Sequence, residues 1–129
     1  MSKTLLLIDD DDDIREIAQL SLELGAGWTV LSAASGSEGI EVARAKQPDA
    51  ILLDVMMPVL DGPATLAKLR EDEVTKAIPV VFLTAKARPA ERDRLAGLDV
   101  AGVLAKPFDP MTLADQLQAV LGWDSEGAK

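Results

Sequence analysis

Five side chains in this sequence stand where chemistry is possible, and each follows an apolar run: Asp9 and Asp10 after LLLI, Asp54 after AILL, Thr84 after VVFL and Lys106 after GVLA. Brought together, they would form a cluster of three carboxylates, one hydroxyl and one ammonium. Neighbouring carboxylates repel unless a cation neutralises them. The set therefore reads as a site for Mg2+, with Mn2+ as its substitute. Such a hard cation takes one or two protein carboxylates, keeps several waters and leaves positions open for phosphate oxygens. A lysine and a threonine beside it complete a receptor for a phosphoryl group, whose transfer rests on positioning and charge neutralisation. A carboxylate can itself be the nucleophile and form an aspartyl phosphate.

The elements that must position these residues are legible as alternating patterns. Short Leu-, Ile- and Val-rich runs at Leu5–Ile8, Thr29–Ala33, Ala50–Leu53, Pro79–Leu83 and Gly102–Leu104 have the near-continuous apolar character of strands covered on both faces. Helix-period segments lie between them. The first places Ile14, Ile17, Ala18, Ser21 and Leu24 on one face. The second opens with Ser35 and Glu38, spaced as a capping box. Asp61-Gly-Pro63 introduces a third that carries Leu66 and Leu69, and Pro89 introduces a fourth. Asp109-Pro110 supplies N-cap and first-turn proline for a fifth, which buries Leu113, Leu117, Val120 and Leu121 and stops at Gly122. Five strand-then-helix units predict an α/β fold with a five-stranded parallel, doubly wound sheet. In such a sheet ligands bind outside the carboxyl ends of the strands, where all five reactive side chains fall.

Composition removes rival chemistries. The 129 residues include no cysteine and no histidine, which excludes thiol nucleophiles, disulfides, thiolate-held zinc, imidazole bases and the Ser/His/Asp triad. The net charge is −9, and five acids stand together at Asp9–Asp13, leaving −4 for the rest of the chain. That balance argues against binding nucleic acid, which needs Lys and Arg against phosphates. The apolar stretch in MSKTLLLIDD is too short for a signal peptide or a membrane span, so a cytoplasmic protein without membrane attachment is expected. The length suits one domain, placed at residues 1–122, with a short C-terminal tail at 123–129 and no attached output domain.

Four pieces then carry a family likeness: LLLIDDDDDIR at 5–15, LLDVMMPVLDG at 52–62, VVFLTA at 80–85 and AKPF at 105–108. In this order and at these separations they resemble the receiver domain of two-component response regulators, over essentially the whole chain. The resemblance implies a flavodoxin-like (βα)5 fold with strand order 2-1-3-4-5. It implies that Asp54 is the phosphoacceptor, that Asp10, Asp54 and the Met56 backbone carbonyl ligate Mg2+, and that Asp9 holds metal-bound water. It also implies that Thr84 and Lys106 contact the phosphoryl group after transfer, and that Lys106-Pro107 is a cis peptide, an isomer tolerated where proline follows. The donor would be a sensor histidine kinase or histidine phosphotransfer protein, which suits a chain lacking histidine. A downstream protein would read the face of helix four, strand five and helix five. Such a chain catalyses only its own phosphorylation and dephosphorylation.

Departures from the family pattern bear on mechanism. Receivers often carry Tyr or Phe three residues before the lysine, and here that position is Val103. A short branched side chain has no comparable swing, so signalling is expected through backbone shifts after Thr84 or through another part of that face. Asp99 stands where a helix-ending glycine is common, and a left-handed Asp would be tolerated there. Met56 and Lys86 occupy the two variable positions flanking the site, where long side chains would shield the acyl phosphate.

Asp12 and Asp13 read as a solvated acidic turn favoured by the first helix's dipole, with Asp11 intermediate. Asp9, Asp11 and Asp13 echo a calcium loop, but Ile14 stands where its glycine belongs and Leu20 where its glutamate belongs. Trp28 and Trp123 read as cover for the sheet edge and final helix. A haloacid-dehalogenase-type phosphatase also uses aspartate, Thr, Lys and Mg2+, but its nucleophile follows the first strand and its acidic pair comes late. A phosphorylation-independent interaction module would have no need of Asp10, Asp54, Thr84 and Lys106 together.

Overall fold

The computed structural model describes residues 3–85 and 88–123. Strands and helices alternate: β1 Thr4–Ile8, α1 Asp12–Ala26, β2 Thr29–Ala33, α2 Gly36–Lys46, β3 Ala50–Asp54, α3 Gly62–Glu71, β4 Val80–Thr84, α4 Pro89–Ala96, β5 Gly102–Ala105 and α5 Leu113–Leu121. The strands form one parallel sheet in the order β2-β1-β3-β4-β5. The chain moves from β1 to β2, then crosses back to β3 on the other side of β1. This reversal makes the carboxyl ends of β1 and β3 the switch point at which a ligand crevice opens.

Strand alternation divides the core in two. Leu6, Ile8, Ile51, Leu53, Val80 and Phe82 point to one face and pack with Leu66, Leu69 and Leu95 of α3 and α4. Leu5, Leu7, Leu52, Val81, Leu83 and Leu104 point to the other, against Ala18 and Leu22 of α1 and Leu113 and Leu117 of α5. Because β1, β3 and β4 feed both clusters, their residues are apolar at nearly every position, with no period-2 polarity. This is the expected pattern for a doubly covered sheet.

Helix starts follow their caps. Asp61 accepts from the Ala64 amide (2.9 Å), and Pro63 follows it inside α3. Ser35 accepts from the Glu38 amide (3.1 Å), while the Glu38 carboxylate reaches Ala34 N (2.9 Å), one residue before the cap. Pro89 opens α4 with no side-chain cap from Arg88.

Three expectations are corrected. On α1 the buried residues are Ala18 and Leu22, with Ile14 partly covered, whereas Ile17 is 44% and Leu24 83% exposed. Two apolar stripes run along this helix, and period alone cannot choose between them. The sheet takes the stripe whose small Ala18 permits close approach. Asp109-Pro110 does not cap α5: Asp109 accepts from the Met111 amide (2.9 Å) in a separate turn, and the helix starts after Thr112, which makes no side-chain cap. Within α5, Val120 and Leu121 are only partly buried, and Gly122 (φ +73°) ends it in the left-handed conformation. Asp99 is not left-handed, since among the described residues only Gln47 and Val59 are non-glycines with positive φ. Its carboxylate instead pairs with Arg70 of α3 at 2.9 Å.

Trp28 is buried, and Trp123, expected in the tail, packs edge-on against it with ring centroids 5.1 Å apart. Residues 124–129 of that tail, and Lys86, expected at a flanking position, lie outside the described residues. No described helix is long and apolar enough to cross a membrane.

Candidate functional site

Four strand ends deliver the site. Asp9 directly follows β1, Asp54 closes β3, Thr84 closes β4, and Lys106 directly follows β5. The register holds them level: Asp54 is opposite Leu83, and Thr84 is opposite Ala105. The main chain continues this ladder past the strands, through Asp9 N to Ala33 O (3.2 Å), Val55 N to Leu83 O (3.1 Å) and Lys106 N to Thr84 O (2.8 Å). The polar residue that ends each apolar run is therefore held by backbone bonds.

Asp9, Asp10 and Asp54 each place a carboxylate oxygen within 4.8 Å of the others. Lys106 Nζ lies 3.0 Å from Asp9 Oδ2 and 3.2 Å from Asp54 Oδ1. Asp9 and Thr84 are fully buried and Asp54 nearly so, while Asp10 is exposed at the mouth. Met56 donates its amide to Asp54 Oδ1 at 3.4 Å, and its side chain stands 58% exposed. The Lys106–Pro107 peptide is cis.

The electrostatics follow from this packing. Burial, reinforced by the Asp9 carboxylate, raises Asp54 to a pKa of about 6, against the opposing pull of Lys106 and the Met56 amide. Burial also disfavours charge on Lys106, but its bonds to Asp9 and the field of both carboxylates outweigh that and hold it above the ordinary lysine range. Three carboxylates against one ammonium leave two negative charges uncompensated when all are ionised. An all-oxygen donor set with that surplus fits a divalent hard cation such as Mg2+.

The β3–α3 loop closes one side of the site. Gly62 N donates to Val55 O at 2.9 Å. A Cβ on Gly62 would stand 2.7 Å from the Asp54 carbonyl oxygen and 2.8 Å from Val55 Cα. Only glycine lets α3 begin this close to the backbone of Asp54. Val59, in the same loop, is fully exposed at φ +69°.

The predicted residues Asp9, Asp10, Asp54, Thr84 and Lys106 all meet at these strand ends, with Met56 adjoining. Asp11 lies outside the cluster and caps α1, accepting from the amides of Asp13 (2.9 Å) and Ile14 (3.2 Å). Asp12 is exposed and Asp13 belongs to the first turn of α1. The sequence motifs give no sign of Arg15, whose guanidinium reaches back from α1 to the Asp9 carbonyl at 2.7 Å. The available signal was its position near the start of a helix, where the dipole disfavours a cation. On β5, Val103 packs on the core beside α4, and Arg92 Nη2 approaches its carbonyl at 3.4 Å.

The family model described as response regulator receiver domain matches residues 5–118. The phosphate regulon transcriptional regulatory protein PhoB of Pseudomonas aeruginosa is 38% identical over 123 residues, covering 94% of this chain and 52% of the relative. The alkaline phosphatase synthesis transcriptional regulatory protein PhoP of Bacillus subtilis is 35% identical, with coverage of 94% and 49%. The chain thus spans about half the length of these curated relatives. Among solved structures, the chemotaxis response regulator CheY4 of Vibrio cholerae superposes with a TM-score of 0.85 at 32% identity, over 93% of this chain and 99% of that one.

Proposed function

Because the chain belongs to the response regulator receiver domain family, we propose that it accepts a phosphoryl group on Asp54 from a histidine kinase or histidine phosphotransfer protein. The observation that carries this reading is the reach of Lys106 Nζ to both Asp9 and Asp54, within a cluster of three carboxylates at adjoining strand ends. Asp54 Oδ acts as the nucleophile toward phosphorus, and the bond from phosphorus to the donor breaks as the new one forms. A nucleophile of this kind must be ionised, and above its pKa of about 6 Asp54 is mostly so.

Asp10, Asp54 and the Met56 carbonyl would hold Mg2+, with Asp9 holding its water. When bound, the ion neutralises the carboxylates and the phosphoryl oxygens. Lys106, paired with the two buried carboxylates, would pair with the incoming oxygens. Thr84, at the end of the neighbouring strand, would donate its hydroxyl to them. The catalysis is limited to this chain's own phosphorylation and its hydrolysis. The modified site is read by a downstream protein on the surface of α4, β5 and α5. With Val103 there, α4 and β5 leave an open groove lined by Pro89, Arg92 and Ala96 in place of a swinging ring. A cytoplasmic location and the absence of nucleic-acid contacts by this domain complete the reading.

The test is incubation with acetyl phosphate and Mg2+, comparing wild type with Asp54→Ala. Wild type should gain one phosphoryl group, labile to alkali and to hydroxylamine, that the variant lacks. No gain in wild type, or an equal gain in both, overturns the assignment. Sustained release of phosphate from simple phosphate esters would favour the phosphatase alternative.

A further inference from the structure

Asp10 is the one carboxylate of the cluster that the fold leaves unsupported. It is exposed, and among the described residues its side chain has no hydrogen bond or ion pair. Its direction therefore depends on the backbone on either side. On the C-terminal side, the Asp11 amide donates to Asp9 Oδ1 at 2.9 Å, and Asp11 in turn caps α1. On the N-terminal side lies the peptide unit joining Asp9 to Asp10, whose carbonyl oxygen accepts from Arg15 Nη1 at 2.7 Å.

We infer that Arg15 is a positioning residue: by holding the Asp9–Asp10 peptide, it aims the Asp10 carboxylate into the cluster. A peptide unit is planar, so fixing its oxygen also fixes the direction in which the chain leaves toward Asp10 Cα. The guanidinium is itself held, since its Nη2 pairs with Asp12 at the start of α1 and only 18% of the side chain is exposed. Its planar fork bridges the Asp9 carbonyl and the Asp12 carboxylate at once, which a compact ammonium does not reproduce. A cation this near the start of α1 is opposed by the helix dipole, and one this near the carboxylates also repels a second cation. Charge and geometry consequently make opposite predictions for Mg2+ binding. If Arg15 acted only through its charge, removing it would strengthen binding. If it acts by position, removing it weakens binding.

The inference rests on the proposed Mg2+ site, and Mg2+ alone is the probe. Mg2+ would be titrated into wild type, Arg15→Met, Arg15→Lys and Asp10→Asn, followed by backbone amide NMR shifts well below the melting temperature. Circular dichroism would check the fold of each. Loss of a group that orients a metal ligand typically costs tenfold or more in affinity, so Arg15→Met should bind about tenfold more weakly. Arg15→Lys, at unchanged charge, should fall between it and wild type. Equal or tighter binding by Arg15→Met overturns the inference while leaving the metal site standing. Should Arg15→Met fail to fold, Arg15→Lys decides, and affinity equal to wild type overturns it. If wild type itself binds no Mg2+, and Asp10→Asn changes nothing, the metal site and this inference fall together.

Discussion

Replacing Asp54 with asparagine should make the metal-free protein more stable, although it removes half of an ion pair. Asp54 is 3% exposed, stands beside the Asp9 carboxylate, and has its pKa raised from 3.8 to about 6. The folded state thus keeps this proton to a higher pH than the unfolded chain does. Stability is lost as pH rises from about 4 to about 6 and stays lower above that. A shift of about two pH units corresponds to a ceiling of about 3 kcal/mol, and water entering the site mouth reduces it, so about 1–3 kcal/mol is expected. Asparagine keeps the shape without the charge and can still accept from Lys106. Urea unfolding in EDTA should therefore show Asp54→Asn more stable than wild type by that amount at pH 8, with the difference closing toward pH 4. Added Mg2+ should reverse the order, because binding at a thousandfold excess over Kd contributes about 4.1 kcal/mol to whichever form holds the ion, more than the ceiling on the difference. The reasoning is refuted if Asp54→Asn is less stable at pH 8 without metal, or if the difference does not change with pH.

Two further substitutions probe the loop over Asp54. Gly62→Ala would drive a methyl into the Asp54 carbonyl and Val55 Cα at 2.7 and 2.8 Å, so a loss of about 2–3 kcal/mol in urea unfolding is expected; an unchanged midpoint would show that α3 can withdraw freely. Val59→Gly should instead gain about 0.5–1 kcal/mol, because a β-branched residue at φ +69° is strained and its fully exposed side chain has no packing to lose. A lower urea midpoint at unchanged slope would contradict this.

The strands and the site were legible because the same residues carry both signals. An apolar run covered on both faces must end at the rim of the sheet, and in β1, β3, β4 and β5 the first polar side chain at or just past that end is a reactive one. Local pattern failed where two solutions were equally periodic. On α1, the stripes through Ala18 and through Ile17 both repeat at helical spacing, and only the sheet's demand for a small residue chooses between them. Asp109-Pro110 has the composition of a helix start, yet its turn closes on Met111 before α5 begins, a difference of backbone geometry. Asp99 was read for its own conformation, whereas its partner Arg70 lies 29 residues away in sequence. Arg15 was hidden for another reason: its bond goes to a main-chain carbonyl, which leaves no complementary residue type to notice.

The central claim, that Asp54 is the residue that takes the phosphoryl group, is tested most directly by locating it. After incubation with acetyl phosphate and Mg2+, borohydride reduction converts an aspartyl phosphate to homoserine, which peptide mass spectrometry can place in the chain. The account predicts homoserine at position 54 alone, dependent on Mg2+ and absent from Asp54→Ala. Conversion at Asp9 or Asp10 instead, or none in a wild-type protein that binds Mg2+, would contradict it.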